Sequence, residues 1–170
     1  VRYISGTLEV TKINVTIRIE PDRWTGNIYN GTEMDPANGC QVMQRYVGFP
    51  RTAIGWHVTP EVMYWGPRQI WERYGLPMVI SEDGQSCNDR IFLDGKVHDP
   101  ERIDFLHRYL SELHKAIEDG VPILGYMQWS FLDNFEWSEG YNERFGIVYV
   151  DYPTLQRIPK DSAFFFHDIL

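Results

Sequence analysis

Apolar and polar residues alternate along the start of the chain and change to a longer period further on. In residues 7–19 the apolar positions keep a period of two, with one shift of phase before Ile13. This pattern predicts a bulged strand or a two-stranded hairpin. Residues 24–29 have the composition of a short strand, whereas residues 30–55 are rich in Gly, Pro and Asn. The latter segment is predicted to be a long loop of a kind that is often functional.

Two later segments have the spacing of helices. Five apolar residues recur at steps of three and four within residues 100–119: Ile103, Leu106, Leu110, Leu113 and Ile117. This stripe predicts a helix that packs on a sheet, with Asp99 as its N-cap and Gly120 after its C-terminus. Residues 60–74 are also predicted to be helical, with a kink or break at Gly66-Pro67.

Short apolar runs at residues 77–82, 121–130 and 146–150 alternate with these helical segments. Because strands that alternate with helices form βαβ units, the runs are predicted to pair in parallel. Nearly continuous apolar strands are typical of a sheet that is covered on both faces. The chain is therefore predicted to be one continuous α/β piece.

Composition narrows the classes of function. The 170 residues have a formal net charge of −8, and the 16 Lys and Arg residues are scattered, which argues against nucleic-acid binding. No apolar run reaches the roughly 18 residues of a membrane helix, and the N-terminus lacks a secretory pattern, so we expect a cytoplasmic protein. Cys40 and Cys87 lack the spacing of metal ligands, and neither a metal nor another cofactor is predicted.

Carboxylates follow two of the predicted strands. Glu82 and Asp83 end the run at 77–82, and Asp133 and Glu136 follow the run at 121–130. Ligands of parallel sheets and barrels bind at the carboxyl ends of the strands. Carboxylates there could bind a metal, abstract protons or hydrolyse a glycosidic bond, and the flanking tryptophans favour a sugar.

Three blocks of the sequence carry a resemblance. YGLPMVISEDG, GYMQWSFLDNFEW and ERFGIVYVDY resemble, in order and spacing, the C-terminal third of the family-1 glycoside hydrolases, the retaining β-glucosidase family. The usual family wording is YITENG, WSLLDNFEW and RFGLVYVDY. The resemblance implies an α/β fold, a partial (β/α)8 TIM barrel in which residues 26–170 supply strands six to eight with their helices. Residues 1–25 do not follow the family pattern and are predicted to form a divergent N-terminal segment, a strand or a hairpin.

The resemblance also implies the residues of the site. Glu82 matches the catalytic nucleophile, and Tyr29 matches its hydrogen-bond partner. The residues implied to bind substrate are Asn27, Trp56, Trp129, Glu136 and Trp137. The sugar is implied to stack on Trp129, its 4- and 6-hydroxyls to donate to Glu136, and its O3 to lie near Trp137. Trp56 matches a position near the aglycone.

Other polar residues are interpreted differently. Asp83 occupies the place of a family Asn and is expected to point outward. Asp133 and Asn134 are expected to hold their loop through bonds from side chain to backbone. His107 and His114 are interpreted as surface residues, because metal-binding pairs on helices are four residues apart.

The implied activity is hydrolysis of β-glucosides or related disaccharides by a retaining mechanism. That mechanism needs two carboxyls about 5–5.5 Å apart, whereas the family's acid/base motif Asn-Glu-Pro does not occur in these 170 residues. We therefore expect activity to need self-association or a complementing chain with the N-terminal part of the barrel. The alternatives are a catalytically inactive sugar-binding or scaffold fragment, and an inert remnant of the family.

Overall fold

A computed structural model of the chain describes residues 4–10, 13–17 and 50–170, the first two ranges by their backbone alone. The strand predicted at 24–29 and most of the loop predicted at 30–55 lie outside the described residues. The site candidates Asn27 and Tyr29 lie outside them as well, so their predicted roles stay predictions.

An antiparallel hairpin forms the first described part of the chain. Strand β1 (Ile4–Val10) pairs with strand β2 (Ile13–Ile17), and a register shift interrupts the ladder between Gly6 and Val10. The hairpin alternative for the alternating segment is confirmed.

The first described helix, α1 (Val62–Tyr74), runs without a break through Pro67. The predicted end of the helix is confirmed: Gly75 has φ +66° and donates its N–H to the carbonyl of Trp71 at 2.7 Å, as a C-terminal glycine does. The prediction of a break at Gly66-Pro67 is wrong. Both residues are buried, so the packing of this face outweighs the local preference of proline.

A parallel β-α-β unit follows. Strand β3 (Met78–Asp83) leads through a loop to helix α2 (Pro100–Glu118) and then to strand β4 (Ile123–Gln128). β3 and β4 pair in parallel, as predicted, with register shifts after Met78 and between Ile80 and Asp83. β1 lies close to β3, although the two strands belong to different sheets.

Asp99 occupies the predicted N-cap position of α2, but its side chain makes no capping hydrogen bond. Its carboxylate instead pairs with the guanidinium of Arg102 and accepts the backbone N–H of Ser162 at 2.8 Å. A buried charged partner competes better for the carboxylate than the free N–H groups of the helix do.

The C-terminal part of the chain adds a second antiparallel hairpin and a helix. Strand β5 (Val148–Asp151) pairs with strand β6 (Gln156–Pro159), and helix α3 (Asp161–Asp168) follows. The apolar run at 146–150 therefore corresponds to β5, but the parallel pairing predicted for it is wrong, because β5 forms a separate antiparallel sheet with β6. β6 and α3 were not predicted.

The main core lies between the β3–β4 sheet and the helices. Its buried members are Met63, Ile80, Phe105, Leu106, Tyr109 and Leu113. Other side chains of β4 point away from it, and Leu124 and Met127 are 72% and 58% exposed. The prediction that both faces of the sheet are covered is therefore wrong for β4. The residues with described side chains cover β4 only on the side of the helices. Among the described residues, no helix is both long and apolar enough to cross a membrane.

Candidate functional site

The end of β3 directs two neighbouring carboxylates to different environments. Glu82 is exposed, whereas Asp83 is buried, as expected when consecutive side chains of a strand point to opposite faces. The carboxylate of Glu82 is therefore accessible to a ligand at the carboxyl end of a parallel strand, where ligands of such sheets bind.

Asp83 is held inside the protein by β4. The hydroxyl of Tyr126 donates to Oδ2 of Asp83 at 2.9 Å. Burial raises the pKa of Asp83 and also raises the pKa of Tyr126 well above its ordinary value, because a charge is poorly solvated there. The expectation that Asp83 points outward is wrong: the strand directs it into the interior, where Tyr126 supplies a partner.

Two predicted sugar-binding residues meet in the loop after β4. The indole Nε1–H of Trp129 donates to Oε2 of Glu136 at 3.1 Å. Glu136 is only 8% exposed, and the turn that carries it is closed by its N–H, which donates to the carbonyl of Gly140 at 2.7 Å. The indole thus fixes the direction of the Glu136 carboxylate. We call these two residues the Trp129–Glu136 pair.

The other two predicted tryptophans lie near this pair in different ways. Trp137 directly follows Glu136, begins a 3₁₀ turn and is 76% exposed. Trp56 lies before α1, and its ring centroid is 5.6 Å from that of Phe145. The carbonyl of Phe145 in turn accepts the N–H of Ser130 at 3.1 Å. Trp56 is therefore linked to the Trp129 loop through Phe145.

Backbone contacts join the ends of β3 and β4. The N–H of Trp129 donates to the carbonyl of Asp83 at 2.8 Å, and the side-chain amide of Gln128 donates to the carbonyl of Trp129 at 2.7 Å. The peptide bond between Trp129 and Ser130 is cis. The two hydrogen bonds place Trp129 next to the strand end that carries Glu82.

Asp133 fastens the loop that carries the Trp129–Glu136 pair. Its fully buried carboxylate accepts the backbone N–H groups of Gly146 and Val150 at 3.0 and 3.3 Å. It also pairs with Arg144 at 2.6 Å and with Lys160 at 2.8 Å. The predicted loop-holding role of Asp133 is confirmed.

Asn134 holds the same loop from within. Its amide donates to the carbonyl of Leu132 and to Oγ of Ser130, both at 3.0 Å. The loop-holding role predicted for Asn134 is therefore confirmed too.

A buried ion-pair network connects this loop to the loop that follows β3. Lys160 Nζ lies 2.6 Å from Asp89 Oδ2 and 2.8 Å from Asp133 Oδ1. Asp89 also accepts a hydrogen bond from the guanidinium of Arg102 at 2.7 Å. The side chains of Lys160 and Arg102 are fully buried. Sequence reasoning missed this network, because Lys160 is 71 and 27 residues from its two partners and a charged residue gives no local signal of burial.

The remaining candidate ligands are separate from this site. His107 and His114 are exposed on α2, as predicted. Cys87 is a free, buried thiol, and burial raises its pKa to about 11. Within the described ranges, no cluster of three or more His, Cys, Asp or Glu residues could hold a metal ion.

Comparison with known proteins gives consistent matches. The profile of "Glycosyl hydrolase family 1" matches residues 3–170. Beta-glucosidase A of Thermotoga maritima is 45% identical over 147 residues, which are 85% of this chain and 33% of the relative. The 1,4-beta-D-glucan glucohydrolase of Thermotoga neapolitana is 44% identical over 147 residues, with the same shares.

Solved structures agree with these relatives. The family 1 β-glucosidase from Thermotoga maritima in complex with isofagomine lactam matches with a TM-score of 0.74 and 45% identity, over 81% of this chain and 31% of that chain. The chain thus spans about a third of the length of the proteins that it matches.

Proposed function

The chain belongs to glycosyl hydrolase family 1, and we propose that it supplies the nucleophile and part of the sugar-binding site of a retaining β-glucosidase. The observation that carries the proposal is the arrangement at the ends of β3 and β4. The accessible carboxylate of Glu82 ends one strand, and the Trp129–Glu136 pair follows the other, with the Trp129 N–H bonded to the carbonyl of Asp83. In this proposal β3 and β4 are the seventh and eighth strands of a (β/α)8 barrel.

Glu82 would act as the nucleophile in two displacements. Its carboxylate attacks the anomeric carbon of a β-glucoside, the bond from that carbon to the aglycone oxygen breaks, and an acid protonates the leaving oxygen. Water then attacks the same carbon, the acid/base group takes the proton of the water, and Glu82 leaves as a carboxylate. Two inversions retain the β configuration. The acid/base carboxyl would come from outside these 170 residues, which contain no Asn-Glu-Pro triplet.

The Trp129–Glu136 pair would bind the glycone. The face of the indole stacks on the C–H face of glucose, while Glu136, held by the indole N–H, accepts hydrogen bonds from the 4- and 6-hydroxyls. A carboxylate at this position repels a 6-phosphate, so we propose unphosphorylated β-glucosides or related disaccharides as substrates. The names beta-glucosidase and 1,4-beta-D-glucan glucohydrolase of the relatives support this class.

Other residues would complete the site. Trp137 is exposed beside Glu136, where its indole N–H could donate to O3 of the glycone. Trp56 would lie towards the aglycone, and Asn27 and Tyr29 would approach the substrate and Glu82 from the preceding strand.

The exposed side of β4 suggests how the rest of the barrel would be supplied. Leu124 and Met127 leave apolar surface in water, and burial of such surface stabilises an assembly by about 25 cal/mol per Å². We propose that the part of a family-1 barrel with the first five strands covers this face. Self-association of the chain is the alternative.

Hydrolysis assays with a complementing chain test the proposal. This chain would be assayed with 4-nitrophenyl β-D-glucoside alone and mixed with the preceding two thirds of Thermotoga maritima beta-glucosidase A. We expect turnover in the mixture, with the β-anomer of glucose released first in proton NMR spectra. Glu82→Gln should abolish turnover, whereas the neighbouring change Asp83→Asn should leave most of it. Turnover by Glu82→Gln at the wild-type rate, or release of the α-anomer first, would contradict the proposal.

A catalytically inactive sugar-binding fragment is the second candidate. It is favoured by one observation: the Trp129–Glu136 pair is formed within this chain, whereas the family's acid/base triplet does not occur in its sequence. Its signature would be calorimetric binding of glucose that is lost in Trp129→Ala, together with no hydrolysis in the complemented mixture.

A further inference from the structure

Gly84 directly follows β3 and lies against Trp129, the residue that follows β4. A Cβ atom at Gly84 would lie 1.8 Å from the carbonyl oxygen of Trp129 and 2.8 Å from its carbonyl carbon. Non-bonded heavy atoms make ordinary contact at about 3.5–4.0 Å. Gly84 does not have a positive φ, so glycine is required here for space and not for backbone conformation.

The carbonyl that lies against Gly84 is also held by Gln128, whose Nε2 would lie 3.0 Å from a Cβ atom at Gly84. The amide Nε2 of Gln128 donates to this carbonyl at 2.7 Å, and Oε1 of Gln128 lies 3.2 Å from the hydroxyl of Tyr126. That hydroxyl donates to Asp83, the residue before Gly84. A short chain of polar contacts therefore returns from Trp129 to the end of β3.

The consequence for the site follows from where these residues lie. Gly84 is two residues from Glu82, and Trp129 is half of the Trp129–Glu136 pair. A side chain at position 84 would force the carbonyl of Trp129 away by about 1.5 Å or more to restore an ordinary contact. Misplacement of about 1 Å in an active site can lower a rate about 100-fold.

We propose that Gly84 is a positioning residue of the glycone site, which sets the distance between Glu82 and the Trp129–Glu136 pair by admitting the Trp129 carbonyl against β3. Gln128 assists by holding the same carbonyl. This inference rests on the proposed function, because it assigns Gly84 to the same site.

Trapping kinetics with an activated fluoro-sugar test the inference. When the protein reacts with 2,4-dinitrophenyl 2-deoxy-2-fluoro-β-D-glucoside, Glu82 forms a bond to the anomeric carbon of the sugar while the bond from that carbon to dinitrophenolate breaks. The leaving group departs with the electron pair and needs no acid. Intact-mass time courses of the full chain, alone and with the complementing chain, give kinact, Ki and the fraction of protein that becomes labelled.

We expect Gly84→Ala to lower kinact/Ki about 100-fold, while all folded protein still becomes labelled. Gly125→Ala is the matched control: its added Cβ would lie 3.6 Å from Cγ1 of Val79, an ordinary contact, so its constants should equal those of the wild type. A merely structural role of Gly84 would lower the labelled fraction and leave the rate constants unchanged.

Gln128→Met provides a second variant in case Gly84→Ala does not fold, because it removes the amide donor without adding a clash. A clear fall in kinact/Ki supports the inference, whereas wild-type constants in the folded variants overturn it. Wild-type protein that is not labelled at Glu82 would overturn the proposed function and this inference with it. Labelled wild type with unchanged Gly84→Ala constants would overturn the inference alone.

Discussion

Replacing Lys160 by methionine tests the buried network that joins the two loops of the site. The ammonium group is fully buried between Asp89 and Asp133, at 2.6 and 2.8 Å. Methionine keeps an unbranched apolar side chain but removes the charge, which leaves two buried carboxylates with one cation fewer. Breaking a buried ion pair by removing one partner costs about 3–5 kcal/mol.

The lower end of that range applies here, because each carboxylate keeps another cation. Asp89 retains Arg102, and Asp133 retains Arg144 and two backbone N–H donors. We therefore expect Lys160→Met to lower the free energy of unfolding by about 3 kcal/mol. In a chain of this size, each kcal/mol corresponds to roughly 2–4 °C in Tm. The expected fall in Tm is about 6–12 °C.

Lys115→Met is the matched control. Lys115 pairs with Glu112 on α2, but its side chain is 57% exposed, and such surface pairs contribute about 0–1 kcal/mol. Urea unfolding at pH 7, followed by far-UV circular dichroism, and thermal scans measure both variants. If Lys160→Met destabilises the chain no more than Lys115→Met, the buried network does not stabilise the fold as described.

Two further predictions concern pH. Burial raises the pKa of Asp83, so the folded state binds this proton more tightly than the unfolded state, and stability falls as pH rises from about 4 through the raised value. Asp83→Asn should remove this fall and raise Tm at pH 7, as measured by thermal scans from pH 4 to 8. If Tm changes with pH equally in the wild type and the variant, this role of Asp83 is contradicted. The pKa of His98 is raised by its hydrogen bonds to Asp161 at 2.6 Å and to Asp94 at 2.9 Å. The stability that its charged form contributes should be present below about pH 6.5 and lost as pH rises through the raised value. The difference in Tm between wild type and His98→Gln should therefore shrink from pH 6 to pH 9, and a constant difference would refute this role.

The parts of the fold that follow a local period could be predicted from the sequence. The alternation at 7–19 predicted a bulged strand or a hairpin, of which the hairpin forms. The stripe of α2 predicted a helix that packs on a sheet, and the order of strands and helices predicted the parallel pairing of β3 and β4. Strand β6 and helix α3 could not be found in this way. β6 is only four residues long, and Ile158 alone among them is partly buried. α3 contains a run of three consecutive aromatic residues, which has no helical spacing.

The site divides in a similar way. The family resemblance implied that Trp129 and Glu136 bind the same sugar, and their side chains meet. The outward direction predicted for Asp83 was wrong, because the distant Tyr126 binds its carboxylate. Asp99 lies at the predicted N-cap position, but its carboxylate binds Arg102 and the distant Ser162 and leaves the helix N–H groups uncapped. Likewise, the need for glycine at position 84 arises from a contact between two strand ends and is not encoded by a local turn.

The most direct test of the central claim is the position of the sugar after trapping with the 2-deoxy-2-fluoro-β-glucoside. Trypsin should release residues 74–90 as one peptide, which contains both Glu82 and Asp83, and fragment spectra distinguish the two carboxylates. We predict a single fluoroglucosyl group on Glu82 and no labelling of Glu82→Gln. A label on any other residue, or a label that persists in Glu82→Gln, would contradict the assignment of Glu82 as the nucleophile.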